Sequence, residues 1–214
     1  MYLVFIGTLT FFAFVFYAFK KINKRFRVKS TKLFVTPESL RKDSFLLASK
    51  VFKDKFKPDI IITIWRGGSF IGICVHEFYK YKNIQSEPVI IRTARYTGID
   101  ETKSTVTVDN LEYLLANLTV SSKVLLVDDV YDTGLSIRAV LDTLKEKLGD
   151  KMPNDIRIAT PYYKPERNQT SRIPEYYIYE TDRWIVFPHE LEGLTLDEIS
   201  QGMGSDIAEI IDGN

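Results

Sequence analysis

Cysteine and histidine are scarce in this chain, which has one cysteine, Cys74, and two histidines, His76 and His189, among 214 residues. A lone cysteine permits no internal disulfide, so the fold must be held by burial, and a reducing compartment suits it. Cys74 lies in an apolar helical run where packing is its expected role. Two histidines so far apart offer no zinc-type spacing, and each is expected to be structural. Internal repeats and low-complexity segments are also missing. Acidic side chains are absent from the first 29 residues, which carry six basic ones: Lys20, Lys21, Lys24, Arg25, Arg27 and Lys29. Removing those six from the total of 29 leaves 23 basic residues against 28 acidic over the rest, a mildly acidic body. Its basic residues are dispersed and the excess has the wrong sign for a nucleic-acid surface.

Charge of either sign is missing from Met1 to Phe19. Nineteen such residues, as a helix, suffice to cross about 30 Å of hydrocarbon. The segment has neither the basic start and small-residue cleavage site of a signal peptide nor the Arg-rich amphipathicity of a transit peptide. Residues 1–19 are therefore expected to be a single-pass transmembrane anchor. The basic cluster directly after them places the C-terminal body in the cytoplasm by the positive-inside rule. Residues 20–35 read as a basic juxtamembrane linker and residues 36–195 as one α/β domain. Within that domain the aromatic, proline-punctuated stretch 163–195 reads as a small hood. Residues 196–214 read as a C-terminal helical segment broken by Gly202 and Gly204.

What the body does contain is alternation. Thr36 and Pro37 signal the start of a helix reaching about Phe56, with Leu40, Phe45, Ala48, Val51, Phe52 and Phe56 as its inner stripe. Strands are expected at Asp59–Trp65, Pro88–Tyr96, Val124–Val127 and Ile156–Tyr162, and helices near Phe70–Tyr79, Leu111–Ala116 and Ile137–Leu148. Strands alternating with helices predict an α/β fold, a mostly parallel sheet flanked by helices on both faces.

The richest segment is Val124 to Ser136, VLLVDDVYDTGLS. Its apolar start reads as a buried parallel strand. Asp128 and Asp129 follow at the carboxyl end, where such sheets bind ligands, and can accept hydrogen bonds from vicinal hydroxyls. Asp132-Thr133-Gly134-Leu135-Ser136 then combines a close-approach glycine, two hydroxyls and the amides of a helix N-terminus, which is how a phosphate is held. Together these residues predict a site for a phosphorylated sugar. Arg66-Gly67-Gly68 lies at the same edge of the sheet, after the first strand, and can offer amides and a guanidinium to a diphosphate. Lys164 follows the last of these strands, and Trp184 to Glu190 form a compact aromatic cluster, in which Trp184 suits stacking on a flat ligand.

The Val124–Ser136 segment resembles the phosphoribosyl pyrophosphate (PRPP) motif of the type I phosphoribosyltransferases. With Arg66-Gly67-Gly68, Lys164 and Trp184, the chain is most similar to the hypoxanthine and xanthine-guanine (6-oxopurine) members. The resemblance implies that Asp128 and Asp129 bind the ribose hydroxyls and that Asp132 to Ser136 wrap the 5′-phosphate, with Asp132 also placed to take a proton from the base. Arg66, Gly67 and Gly68 would bind pyrophosphate, with a cis peptide between Trp65 and Arg66. Lys164 would contact the purine 6-oxo group, Trp184 would stack on the base, and the Ile185 backbone would read the ring edge. Mg2+ is the implied cofactor, with Asp128, Asp129 and Glu190 as ligands. The polar stretch Thr97 to Lys103 matches a loop that closes over the reaction centre, and homo-oligomers are common among similar proteins. Two departures stand out. Leu135 occupies a position where some relatives have Lys or Gly, and a membrane anchor is foreign to the soluble pattern. A PRPP-sensing, catalytically silent regulator at the membrane, a tethered scaffold, and an enzyme for another base remain alternatives at this point.

Overall fold

The computed structural model describes residues 32–97 and 104–213. The expected anchor, residues 20–31 of the basic linker and most of the expected closing loop lie outside the described residues. Among the described residues no helix is long and apolar enough to cross a membrane.

The main sheet is built from β2 (Ile60–Trp65), β3 (Glu87–Thr97), β4 (Ser104–Asp109), β5 (Lys123–Val127), β6 (Val130–Tyr131), β7 (Asp155–Tyr163) and β8 (Tyr176–Glu180). Its order is β4-β3-β2-β5-β7, with β6 and β8 both pairing β7. All of these pairs are parallel except β3 with β4. Helices α1 (Pro37–Lys53) and α2 (Gly68–Tyr81) cover one face, and α3 (Glu112–Asn117) and α4 (Leu135–Leu148) cover the other. The α/β expectation is met.

Successive strand residues divide between the two faces, as the period of two demands. Ile61, Leu125 and Val127 join the core under α1 and α2. Ile60, Ile62, Ile64, Val124 and Leu126 join the core under α3 and α4. Each such aliphatic side chain contributes about 1.5–3 kcal/mol by leaving water, and burial on both faces explains why these strands are uniformly apolar. Cys74 packs on the α2 side, where burial pushes its thiol pKa up, in keeping with a packing role.

Three expectations need correction. In α1 the buried residues are Leu40, Asp43, Ser44, Leu47, Ala48 and Val51, while Phe45 is 38% exposed. The helix turns 100° per residue, so Phe45 falls off the stripe that Leu40, Leu47 and Val51 define. Residues 32–35, assigned to a linker, contain β1 (Leu33–Phe34), which pairs in parallel with β9 (Ile185–Val186) to form a separate two-stranded sheet. The hood is correspondingly smaller than 163–195, because β8 extends the main sheet. The C-terminal segment forms α5 (Leu196–Gly202) and α6 (Ser205–Asp212), and Thr195 and Glu198 make a reciprocal capping box at the start of α5.

Candidate active site

Parallel pairing of β2 with β5, in the register Thr63 to Val127, brings two loops together at the carboxyl edge of the sheet. One is Arg66–Gly68 and the other is Asp128–Gly134. They meet at van der Waals distance, and the glycines allow it. A Cβ on Gly68 would lie 2.7 Å from the Val127 carbonyl oxygen and 3.0 Å from Asp128 Cα, so only glycine admits the two backbones. The Trp65–Arg66 peptide is cis, as the resemblance implied.

Above this junction lies a cavity of about 480 Å³ lined by Ile64 to Gly67, Arg92, Thr93, Asp128, Asp129 and Glu190. Beside it is a second of about 200 Å³, lined by Asp128 to Gly134, Ser136 and Ile137. Asp128 and Asp129 belong to both. The Asp129 amide donates to Asp128 Oδ1 at 3.0 Å. Burial, with the Asp129 carboxylate beside it, pushes the Asp128 pKa well above the ordinary carboxylate range. Burial and the charge of Asp129 likewise raise Glu190.

The smaller cavity is floored by the start of α4. Gly134 sits there at φ 75°, the left-handed conformation that glycine adopts without cost, and no side chain caps the helix. Thr133 Oγ1 accepts weakly from the Leu135 amide at 3.4 Å. Uncapped first-turn amides beside hydroxyls make a cradle for a dianion.

Asp132 is held by two cations. Lys164 Nζ donates to Oδ2 at 3.2 Å, and Arg167 Nε approaches Oδ1 to 2.6 Å, off the line of a hydrogen bond. Lys164 is 5% exposed, so an unpaired ammonium there would be costly, and Asp132 is its counter-charge. Its position is fixed by its own amide, which donates to the Tyr131 carbonyl at 2.9 Å.

Trp184 and Ile185 are fixed from β1. The Leu33 amide donates to Trp184 O at 2.7 Å and the Val35 amide to Val186 O at 2.9 Å. Strand alternation therefore turns the N–H and C=O of Ile185 toward the edge of this small sheet that no strand among the described residues covers. The Trp184 ring is half exposed, with Lys32 Nζ 5.0 Å from its centroid. Lys32 in turn pairs with Glu198 at 2.6 Å, tying the ring to α5.

Beyond β9 a turn closed by the Glu190 amide donating to Phe187 O at 3.0 Å, with Pro188 in its second position, returns Glu190 to the main cavity. The same turn carries His189, whose ring stacks on Phe187 at 5.5 Å and 9°. His189 Nε2 lies 3.5 Å from Asp129 Oδ2. Asp129, His189 and Glu190 each offer one ligand atom within 4.8 Å of the others, a group of a kind that can hold a metal ion. His189, expected from sequence to be structural, is thus brought beside the candidate site. Its adjacency to Glu190 was the available signal. Arg92 and Arg167 were also missed. Arg92 reaches the cavity because it pairs in register with Trp65 on β2, and an Arg directly after the apolar run Val89–Ile91 pointed to it.

Comparison with known proteins agrees with this geometry. Residues 31–194 match the family model described as the phosphoribosyl transferase domain. The structure is similar to the purine phosphoribosyltransferase of Pyrococcus horikoshii, with 30% identity, a TM-score of 0.59, and coverage of 77% of this chain and 97% of that one. It also shares its fold with a Neisseria gonorrhoeae hypothetical protein with bound ppGpp, at 21% identity and TM-score 0.63, covering 83% and 98%. A third is the Helicobacter pylori xanthine-guanine-hypoxanthine phosphoribosyltransferase, at 21% identity and TM-score 0.54, covering 74% and 91%. No curated protein matches the sequence. With a domain match over most of its length, the chain belongs to the phosphoribosyl transferase domain family.

Proposed function

We propose that this protein transfers the phosphoribosyl group of PRPP to a 6-oxopurine such as hypoxanthine, guanine or xanthine, giving the nucleoside monophosphate and pyrophosphate. The observation that carries the reading is a pair of neighbouring cavities that share Asp128 and Asp129 in their walls. One has a helix N-terminus with hydroxyls, suited to a 5′-phosphate. The other has Arg66, Arg92 and open backbone, suited to a diphosphate, and Asp128 and Asp129 stand at the junction where a ribose would lie.

In this reaction the bond from the sugar carbon to pyrophosphate breaks and a bond to a purine ring nitrogen forms. The electron pair leaves on the diphosphate, which Arg66 and Arg92 stabilise through charge-assisted hydrogen bonds. No protein nucleophile is needed. Orientation is the protein's main contribution, and Trp184 stacking with the Ile185 backbone would provide it for the base. Asp132 accepts the proton that the purine loses. In the resting protein Lys164 is engaged with Asp132, so contact with the purine 6-oxo oxygen requires Lys164 to exchange one oxygen partner for another. Arg167 keeps Asp132 paired during that exchange.

Three carboxylates, Asp128, Asp129 and Glu190, gathered where burial and the charge of Asp129 raise the pKa of Asp128 and Glu190, fit a divalent cation, for which Mg2+ is the expectation. Bound there, the ion would neutralise the departing diphosphate. An anchor at residues 1–19 would hold the domain on the cytoplasmic side of a membrane; the basic segment 20–29 following it, which has no acidic residue, fits that orientation.

The test is pyrophosphate release from PRPP with Mg2+ against a panel of bases. Release with 6-oxopurines supports the reading. PRPP binding without turnover on any base would leave only the sensing regulator, and turnover with a different base class would move the specificity.

A further inference from the structure

We infer that His189 is a metal ligand alongside Asp129 and Glu190, and that the site consequently selects first-row transition ions such as Mn2+ and Co2+ over Mg2+. This rests on the proposed function only for the idea that the cavity carries a divalent ion. The resemblance implies a carboxylate site for Mg2+, whereas the imidazole is contributed by this chain's own turn.

Three observations support it. First, the ligand atoms of the three residues lie within 4.8 Å of one another. An ion about 2.1 Å from each would hold them at most roughly 4.2 Å apart, so small side-chain rotations complete the site. Second, His189 Nε2 is buried and has no hydrogen-bond partner. A buried ring nitrogen without a partner is costly and calls for a ligand or an ion. Its 3.5 Å separation from Asp129 Oδ2 exceeds the usual 2.7–2.9 Å or so of a charge-assisted bond, so a direct His–Asp pair does not satisfy it. Third, each group is held in place. The imidazole is stacked on Phe187, Glu190 is set by the turn, and the Asp129 carboxylate rests on Gly67, where a Cβ would sit 2.0 Å from Oδ2.

The chemistry of the donors sets the preference. Mg2+ favours oxygen and retains its water, whereas an imidazole nitrogen adds affinity for transition ions. Replacing the nitrogen with an amide should therefore remove the preference and leave oxygen-based Mg2+ binding nearly unaltered.

Calorimetric titration of the full chain in detergent with Mn2+, Co2+ or Mg2+ alone, without PRPP, tests this. The expected result is Mn2+ and Co2+ binding at least about tenfold tighter than Mg2+, with His189→Gln erasing the difference. Equal affinities in the wild type, or a preference that survives in His189→Gln, would overturn the inference. If that variant does not fold, electron spin-echo modulation of Mn2+ bound to the wild type decides. Nitrogen coupling from an imidazole supports the assignment and its absence refutes it. Metal binding through His189 in a chain that releases no pyrophosphate would count against the transferase reading alone. Transferase activity with no His189-dependent metal preference would count against this inference alone.

Discussion

Gly67→Ala separates site geometry from fold stability. Gly67 has φ −61° and ψ −43°, an ordinary helical conformation that alanine shares, so the backbone gives no reason for glycine here. The reason is the neighbour. A Cβ would lie 2.0 Å from Asp129 Oδ2, 2.3 Å from its Cγ and 2.7 Å from Oδ1, against an ordinary contact of 3.4 Å or more. The methyl group must therefore push the whole carboxylate away by more than about 1 Å, and rotation of the Asp129 side chain is the easiest way to do so. A displaced carboxylate loses its aligned hydrogen bonds to the ribose, each worth about 1.5–3 kcal/mol where a charge is involved. PRPP affinity should fall roughly 10- to 150-fold, with the melting temperature little changed.

Gly72→Ala is the matched control. There the Cβ would meet Thr63, with Oγ1 at 2.2 Å and Cγ2 at 2.8 Å, inside the packed interface of α2 and β2. Overpacking a core typically costs about 1–3 kcal/mol. This variant should melt several degrees lower while its folded fraction binds PRPP normally. Calorimetric PRPP titration and thermal denaturation of both variants provide the readout. Wild-type PRPP affinity in Gly67→Ala, or the same pattern in both variants, would refute the reasoning.

Asp132→Asn should lose roughly 10²- to 10⁴-fold in turnover with little loss of PRPP binding, and equal loss of both in steady-state kinetics would deny Asp132 a base role. Lys32→Met removes the cation over Trp184, an interaction worth about 0.5–1 kcal/mol. It should raise KM for the base about two- to fivefold at constant kcat, and an effect on PRPP instead would place Lys32 elsewhere in the cycle. Burial raises the Asp43 pKa although the Tyr179 hydroxyl donates to it. A carboxyl whose folded pKa is raised contributes stability that is present below its unfolded pKa and lost as pH rises through the folded one. Asp43→Asn keeps an acceptor for Tyr179 and has no charge to bury, so it should melt higher than the wild type at pH 8 and by a smaller margin at pH 4. A margin that shrinks with rising pH would contradict the assignment.

How much of this was legible in sequence depended on how far apart the determinants lie. The central strands were readable because two-face burial imposes apolar runs locally, and the phosphate loop because its residues are contiguous. The pairing of β1 with β9 was not, since two residues form a strand only by docking on a partner some 150 positions away. The same holds for Phe45. Its placement turned on a one-residue phase difference that tertiary contact resolves and composition does not. At the site, Asp128, Asp129 and Gly134 sit in one motif, but Arg92, Arg167 and His189 come from three separate segments. They could be joined only once the register of β2 with β3 and the turn after β9 were known.

Two of those late residues, Arg92 and Arg167, complete the site's charge pattern. In the proposed reaction Arg66 and Arg92 stand at the diphosphate end, where negative charge would grow as the sugar bond loosens. Asp128, Asp129 and Glu190 face the middle, where burial and the charge of Asp129 raise the pKa of Asp128 and Glu190 and a cation would relieve the repulsion. At the far end Asp132 is already balanced by Lys164 and Arg167. If Asp132 had only Lys164, moving that lysine to a purine oxygen would strand a carboxylate beside the 5′-phosphate cradle. Because Arg167 remains, the lysine can leave without exposing an unpaired charge. The second cation thus makes it feasible for one lysine to serve two partners in turn, and it explains why an exposed arginine is directed at a carboxylate already paired with a buried lysine.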